Sequence, residues 1–383
     1  MGTDSILKLQ IKTKERIMHR LDVVLTVTAS VFLFVMGVVT PTTVYSADFF
    51  AGKTLTMVNN YPPGGASDTE GRIFARHLSK HIPGNPTIIF KNVAGAGGLK
   101  GFNWLGEVAK SDGLTASFYT WNPMLQIVQD KALRVPFDKF VFVAGVSPPV
   151  VAFIRKDVKP GINSSSDFLK AHDFKIAGLS DAAVYDVRNR LALDLLLGPV
   201  YGNVTGFRGF APMFKAILQN EVQFSSSSIP GYRGKVVPTM VDPGIVIPVF
   251  HFEISKSDGS FQASPDVPDI PTYLDLYKMK NGKDAMPSGI KWEAMKLLNT
   301  LYTNLLRTVF MPPGSPQEAA NALAKGFDGI VGDAEFLAEY KKVIKAPPNM
   351  ITGDAGRAVI ANLSSVDPKL VAFFKQYIAD ARK

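Results

Sequence analysis

Hydrophobic positions along this chain switch repeatedly between two spacings. Short β-prone runs end in glycine-rich turns, and segments with apolar residues three and four apart follow them. In the first unit, residues 54–58 read as a strand and Pro62-Pro63-Gly64-Gly65-Ala66-Ser67-Asp68 as a turn. Two prolines stop strand pairing, two glycines admit positive φ, and Ser67 or Asp68 supplies a helix cap. A helix is predicted over about residues 69–81, with Phe74, Leu78 and Ile82 on its apolar stripe and Arg72, Arg76 and Lys80 towards the other side. A second copy begins some thirty residues later, with a buried-type strand at 87–90 and the turn Asn92-Val93-Ala94-Gly95-Ala96-Gly97-Gly98. The helix after it turns Leu99, Phe102, Leu105 and Val108 inward, and a strand at 114–119 ends in Thr120-Trp121-Asn122-Pro123. Strands alternating with helices at this interval predict an α/β domain with a largely parallel sheet.

The pattern then repeats in a second region. Residues 140–154 hold two apolar strands around a proline turn, a natural crossing point between domains. A helix starting at Ser164, a strand at 175–179 and a helix capped by Ser180-Asp181, with Val184, Val187, Leu191 and Leu195 inward, come next. Residues 245–250 are expected to return the chain to its first sheet, and the remainder is mainly helical. The terminal helix uses Leu370, Phe374, Tyr377 and Ile378 as its apolar face. The expected division is a first lobe over 48–150, a second over 151–245, and a return to the first over 246–383.

The N-terminus has a plan of its own. Five basic residues lie in the first 21, an apolar run follows to Val39, and a small-residue stretch leads into Asp48. A basic head, apolar middle and small-residue exit describe a secretory signal peptide over residues 1–46, with export to the periplasm. The alternative is a retained membrane anchor. Removing those residues takes five of 42 basic and three of 33 acidic side chains, leaving 37 against 30, or +7. The basic residues are scattered singly, without a tract or motif of the nucleic-acid type, so no nucleic-acid partner is expected. The chain has no cysteine, which removes disulfides, thiolate metal sites and a cysteine nucleophile.

Two glycine turns that open helices at the ends of neighbouring strands make an anion-binding crevice, because unpaired N–H groups and helix N-termini converge there. No constellation for catalysis stands beside them. The chain lacks a G-x-S-x-G elbow and a phosphate loop. His77 and His81 sit four apart but enclose Lys80 rather than a glutamate, and they read as surface histidines. No catalytic residue, metal or cofactor is expected.

These motifs resemble those of the substrate-binding receptors of tripartite tricarboxylate transporters, the Bug family. The resemblance rests on Pro62–Asp68, on Asn92–Gly98, on Asp112-Gly113-Leu114-Thr115, and more loosely on Val204–Gly209 and Pro265–Asp269, in order along nearly the whole mature chain. It implies a type II periplasmic binding fold: two α/β lobes with a hinged ligand cleft. The ligand implied is a small organic carboxylate (dicarboxylate, tricarboxylate or aromatic acid), delivered by a monomeric receptor to membrane permease subunits. Carried over by position, the proximal carboxylate belongs at Gly64, Gly65, Ala66, Ser67, Asp68, Gly95, Ala96 and Gly97. Ser180, Asp181 and Ser226 of the second lobe face the distal end. Tyr61, Trp121 and Phe207 are candidates for an aromatic wall. Val93-Ala94 stands where the family has Arg-Pro, and serines at 225–228 stand where an acidic or amide residue is common in the family. A secreted enzyme or a ligand sensor on the same two-lobe scaffold is the alternative function.

Overall fold

A computed structural model of the 383-residue chain describes residues 48–256 and 260–382; the expected signal peptide lies outside them. The first unit forms as β1 (Thr54–Asn59), a turn, and α1 (Ala66–Leu78). β1 is the centre of a three-stranded parallel sheet, with Met57 opposite Phe90 of β2 (Thr87–Asn92) and Ala116 of β3 (Thr115–Ser117). β2 is an edge strand and leaves Ile89 43% exposed, so it is half-buried rather than of the buried type expected. Helix α1 starts earlier than the sequence predicts and is capped by Gly65, not by Ser67 or Asp68. Asp68, in the third helical position, instead reaches back to accept the Gly64 N–H at 2.9 Å.

The α1 stripe is buried as expected. Phe74 meets Phe118, Phe327 and Phe336 at ring distances of 5.4, 5.7 and 5.0 Å. Position 71 must be bare for this packing, since a Cβ there would stand 2.5 Å from Phe90 Cζ. In the second unit, α2 (Leu99–Glu107) buries Phe102 and Leu105, whereas Val108 follows its last turn and is 64% exposed.

The chain crosses between lobes at the proline turn. β5 (Val141–Val146) lies in a four-stranded sheet with β4 (Tyr119–Thr120), and β6 (Val150–Arg155) enters a separate five-stranded sheet. That second sheet also contains β7 (Phe174–Ala177), β8 (Tyr201–Val204), β9 (Phe224–Ser228) and β10 (Val246–His251), in the order β10-β6-β9-β7-β8. Residues 245–250 therefore do not return to the first sheet. β10 pairs antiparallel with β6, covering an apolar strand edge that would otherwise lie open. The return falls later, after α5 (Ile290–Leu305), when β11 (Arg307–Met311) inserts antiparallel between β4 and β5. Phe374 and Ile378 bury the inner face of the last helix.

Two further helices follow in the C-terminal part of the chain, α6 (Ala334–Ile344) and α7 (Pro368–Asp380). The histidines expected on the surface are half-buried between α1 and α6. His77 Nε2 lies 2.7 Å from Glu339 and His81 Nε2 2.8 Å from Asp333, while Lys80 bridges Asp333 and Glu335. No helix among the described residues is long and apolar enough to cross a membrane.

One buried charge ties the two sheets together. Arg307, 1% exposed on β11, donates from Nε to Glu70 of α1 at 3.0 Å and from Nη1 to Thr120 of β4 at 2.9 Å. Its Nη2 donates to Ser228 of β9 in the second lobe at 3.2 Å. Tyr340 donates to the other Glu70 oxygen at 2.7 Å. Glu70→Ala would leave this guanidinium buried without a counter-charge, and the expected loss is about 3–5 kcal/mol of unfolding free energy, read by urea denaturation.

Candidate functional site

Both lobes contribute loops to a cavity of about 690 Å³. From the first lobe come Tyr61, Pro62 and the second glycine turn, residues 94–98; from the second come Leu179, Ser180 and the segment Gly206, Phe207 and Arg208. The loops approach closely. A Cβ at Gly97 would lie 4.0 Å from Ser180 Oγ, and one at Gly209 would lie 3.6 Å from Pro62.

The second turn owes its shape to four consecutive positive φ angles, at Gly95 (145°), Ala96 (48°), Gly97 (61°) and Gly98 (95°). Ala96 takes a conformation that favours glycine, and the surrounding contacts hold it there. Tyr61 donates its hydroxyl to the Gly97 carbonyl at 2.9 Å. Asn60 locks the adjoining strand ends by exchanging hydrogen bonds with the Thr120 backbone at 3.0 and 2.9 Å. Gly98 packs so tightly on Asn60 that a Cβ would meet Nδ2 at 2.6 Å. Among the described residues, the amides of Gly95, Ala96 and Gly97 have no protein acceptor. A concave run of such N–H groups is an anion nest.

The first turn behaves differently. Pro62 faces the large cavity, but Gly64, Gly65 and Ala66 line a second, smaller one. Ser67 and Asp68 are buried and line neither. The Asp68 carboxylate is used up holding the turn: it accepts from the Gly64 N–H, from Arg72 Nε at 3.0 Å and from Asn92 Nδ2 at 2.9 Å. Burial alone would raise its pKa, but these donors outweigh burial and hold it below the ordinary carboxylate range. Asn92 also donates to the Tyr61 carbonyl at 2.8 Å, so one cluster fixes both turns.

In the second lobe, Ser180 reaches the cavity and Asp181 does not line it. Asp181 accepts from Asn203 at 3.2 Å and Thr205 at 3.1 Å, bracing the neighbouring loop. Neither residue caps the helix expected to follow; α3 (Val184–Leu196) is preceded by Ala183 as its cap. Asp186, inside α3, accepts the amides of Leu179 at 2.7 Å and Ser180 at 2.9 Å, and so positions the cavity wall.

Two other expected contacts are absent from the cavity. Trp121 is wholly buried, its ring packed 5.8 Å from Phe137 in the core, and its backbone N–H donates to the Leu306 carbonyl at 3.1 Å. Ser226 is 1% exposed within β9, paired with Ala152 of β6. The aromatic wall reduces to Tyr61 and Phe207.

Arg208 is the residue that sequence reasoning passed over. It is the one charged side chain lining the large cavity, it is exposed, and it forms no ion pair among the described residues. Gly206 and Gly209, at φ 100° and 131°, bracket Phe207-Arg208 and were the available signal. Amides, a serine hydroxyl and a guanidinium around one cavity provide donors without an opposing carboxylate, which suits an anion.

No protein-family model matches the chain. The protein BugT of Bordetella pertussis (strain Tohama I) is 34% identical over 85 residues, 22% of this chain and 24% of that protein's length. The periplasmic binding protein BugD superposes over 86% of this chain and 98% of its own with a TM-score of 0.61 and 17% identity. The resemblance to Bug receptors holds in sequence and in fold. MatC of Rhodopseudomonas palustris, solved with bound malate, covers 86% of this chain and all of its own, with a TM-score of 0.59 and 18% identity. The two-lobed α/β architecture is thus that of periplasmic binding proteins.

Asp186 gives the second-lobe wall a pH dependence. Burial pushes its pKa up to about 7 against the opposing pull of the Ser180 and Leu179 amides and of Arg190. A carboxyl whose folded pKa is raised binds a proton more tightly in the native state. Its stabilising contribution is complete below the ordinary aspartate range and is lost as pH rises to about 7. Asp186→Asn is expected to flatten unfolding free energy against pH between about 4 and 7, measured by denaturant titration at a series of pH values.

Proposed function

We propose that this chain is an extracytoplasmic solute-binding receptor, not an enzyme, that captures a small organic carboxylate between its lobes and delivers it to a membrane permease. The observation that carries the reading is the run of free amides at Gly95, Ala96 and Gly97 sharing one interlobe cavity with Ser180 and Arg208. One carboxylate sits in the amide nest, where several N–H dipoles replace its water, and Arg208 meets negative charge at the other wall. Tyr61 gives up no proton to the ligand: burial first, then nearby Asp186 and Tyr185, push its hydroxyl pKa well above the ordinary value, so it stays neutral. The malate held by MatC, a protein of like fold, supports the ligand class. Residues 1–46 act as the export signal, the receptor works in the periplasm as a monomer, and movement of the lobes about the strand crossings opens and closes the cleft.

Thermal unfolding of the chain from residue 48, against mono-, di- and tricarboxylates of aliphatic and aromatic type, tests this. A ligand at a hundredfold excess over its dissociation constant is expected to add about 2.7 kcal/mol of stability. A flat response from folded protein to the whole panel would overturn the reading. Arg208→Gln, at an exposed and unpaired position, should leave the unfolding midpoint unchanged without ligand. Titration calorimetry should show the best carboxylate bound roughly 10- to 100-fold more weakly.

A further inference from the structure

The end of α1 away from the glycine turn carries a separate chemistry. His77 lies in the last turn of α1, and Ser79–His81 continue it as a 3₁₀ turn. From Gly65 to His77 the helix rises about 18 Å. The cluster therefore stands apart from the cavities walled by the two glycine turns, Phe207-Arg208 and α4 (Phe210–Leu218).

Metal-ligating atoms converge there between α1 and α6. One such atom each from His77, Asp333 and Glu335 lies within 4.8 Å of the others. Packing fixes the two imidazoles. His77 meets the Phe336 ring edge-on at 5.9 Å, and His81 lies so close to Gly329 that a Cβ there would stand 3.4 Å from its Nδ1. Asp333 is fixed as well. Its Oδ1 caps α6 by accepting the Glu335 and Phe336 amides at 2.9 and 3.2 Å, which leaves Oδ2 for the cluster. A cationic group already occupies the place between the acids: Lys80 Nζ, 2.8 Å from both Asp333 and Glu335. That side chain is 49% exposed, and Glu335 is 77% exposed, so both can swing. Once Lys80 moves aside, the carboxylates of Asp333, Glu335 and Glu339 stand against Arg76 alone. A net charge of −2 remains, the complement of a divalent cation.

We propose that His77, Asp333 and Glu335 form a binding site for one zinc-class divalent ion, which takes the place of the Lys80 ammonium and ties α1 to α6. A tetrahedral ion needs ligand atoms about 3.4 Å apart, so the three close by no more than about 1.5 Å, largely through Glu335. His77 presents Nε2 as the ligand by carrying its proton on Nδ1, and Glu339 turns from His77 to Arg76, which it already holds. The His81 hydrogen bond to Asp333, 2.8 Å long, stays in place. Water completes the coordination. An imidazole among carboxylates selects zinc-like ions over magnesium, which prefers oxygen ligands alone.

Titration calorimetry of the full chain with zinc chloride and with magnesium chloride tests the proposal, using wild type, His77→Gln, Lys80→Gln and, as a control at an exposed histidine elsewhere, His172→Gln. Zinc is expected to bind wild type and His172→Gln equally and His77→Gln at least about tenfold more weakly. Lys80→Gln, which changes an exposed side chain and so keeps the fold, is expected to bind zinc about two- to fivefold more tightly, because no ion pair has to be broken first. Magnesium is expected to bind more weakly than zinc. Zinc binding that ignores His77→Gln, that fails to tighten in Lys80→Gln, or that magnesium equals would mean an adventitious ion only and would overturn the site. The cleft reading is decided separately by the carboxylate panel, and neither result alters the other.

Discussion

The Arg307 guanidinium is the constraint on which the arrangement of the lobes depends. It sits on the strand that brings the chain back to the first lobe, and its three nitrogens reach three other elements: α1 through Glu70, β4 through Thr120 and β9 through Ser228. A buried guanidinium tolerates few alternatives, because any geometry that strands one of its donors incurs a desolvation penalty. Glu70 lies four residues beyond the start of α1, so the same pair also fixes the helix that follows the first glycine turn. The position of that turn is thereby coupled to the second-lobe sheet.

Around this centre the cleft is built by carboxylates that do not face it. Asp68 closes the first turn, Asp181 braces the second-lobe loop, and Asp186 holds the backbone that presents Ser180. Each is satisfied by protein donors. The cavity is left with N–H groups and one guanidinium, so its field favours an anion. The arrangement places carboxyl groups behind the walls and donors in front.

The differences between the sequence reading and the fold share a cause. Ser67, Asp68, Ser180 and Asp181 have the right chemistry for caps or ligands, and local pattern cannot say which partner wins. For Asp68 the winner is Gly64, four residues away, together with Arg72 and Asn92. For Trp121 it is the core around Phe137. For residues 245–250 it is the edge of β6, nearly a hundred residues earlier, which a run of apolar residues covers as readily as it would cover the first sheet. Arg208 went unremarked because an arginine in a loop has no periodicity to mark it.

By itself the sequence determined the alternation of strands and helices, the two glycine turns, the proline crossing and the apolar faces of α1 and the last helix. These rest on local physics: φ preferences, removal of a donor by proline, and the periods at which side chains share a face. Only the tertiary structure decided which turn opens on which cavity, which acids serve the backbone, and which strand carries the chain home. Those outcomes follow from desolvation and pairing between residues far apart in the chain, and such competition is settled only when the lobes have packed.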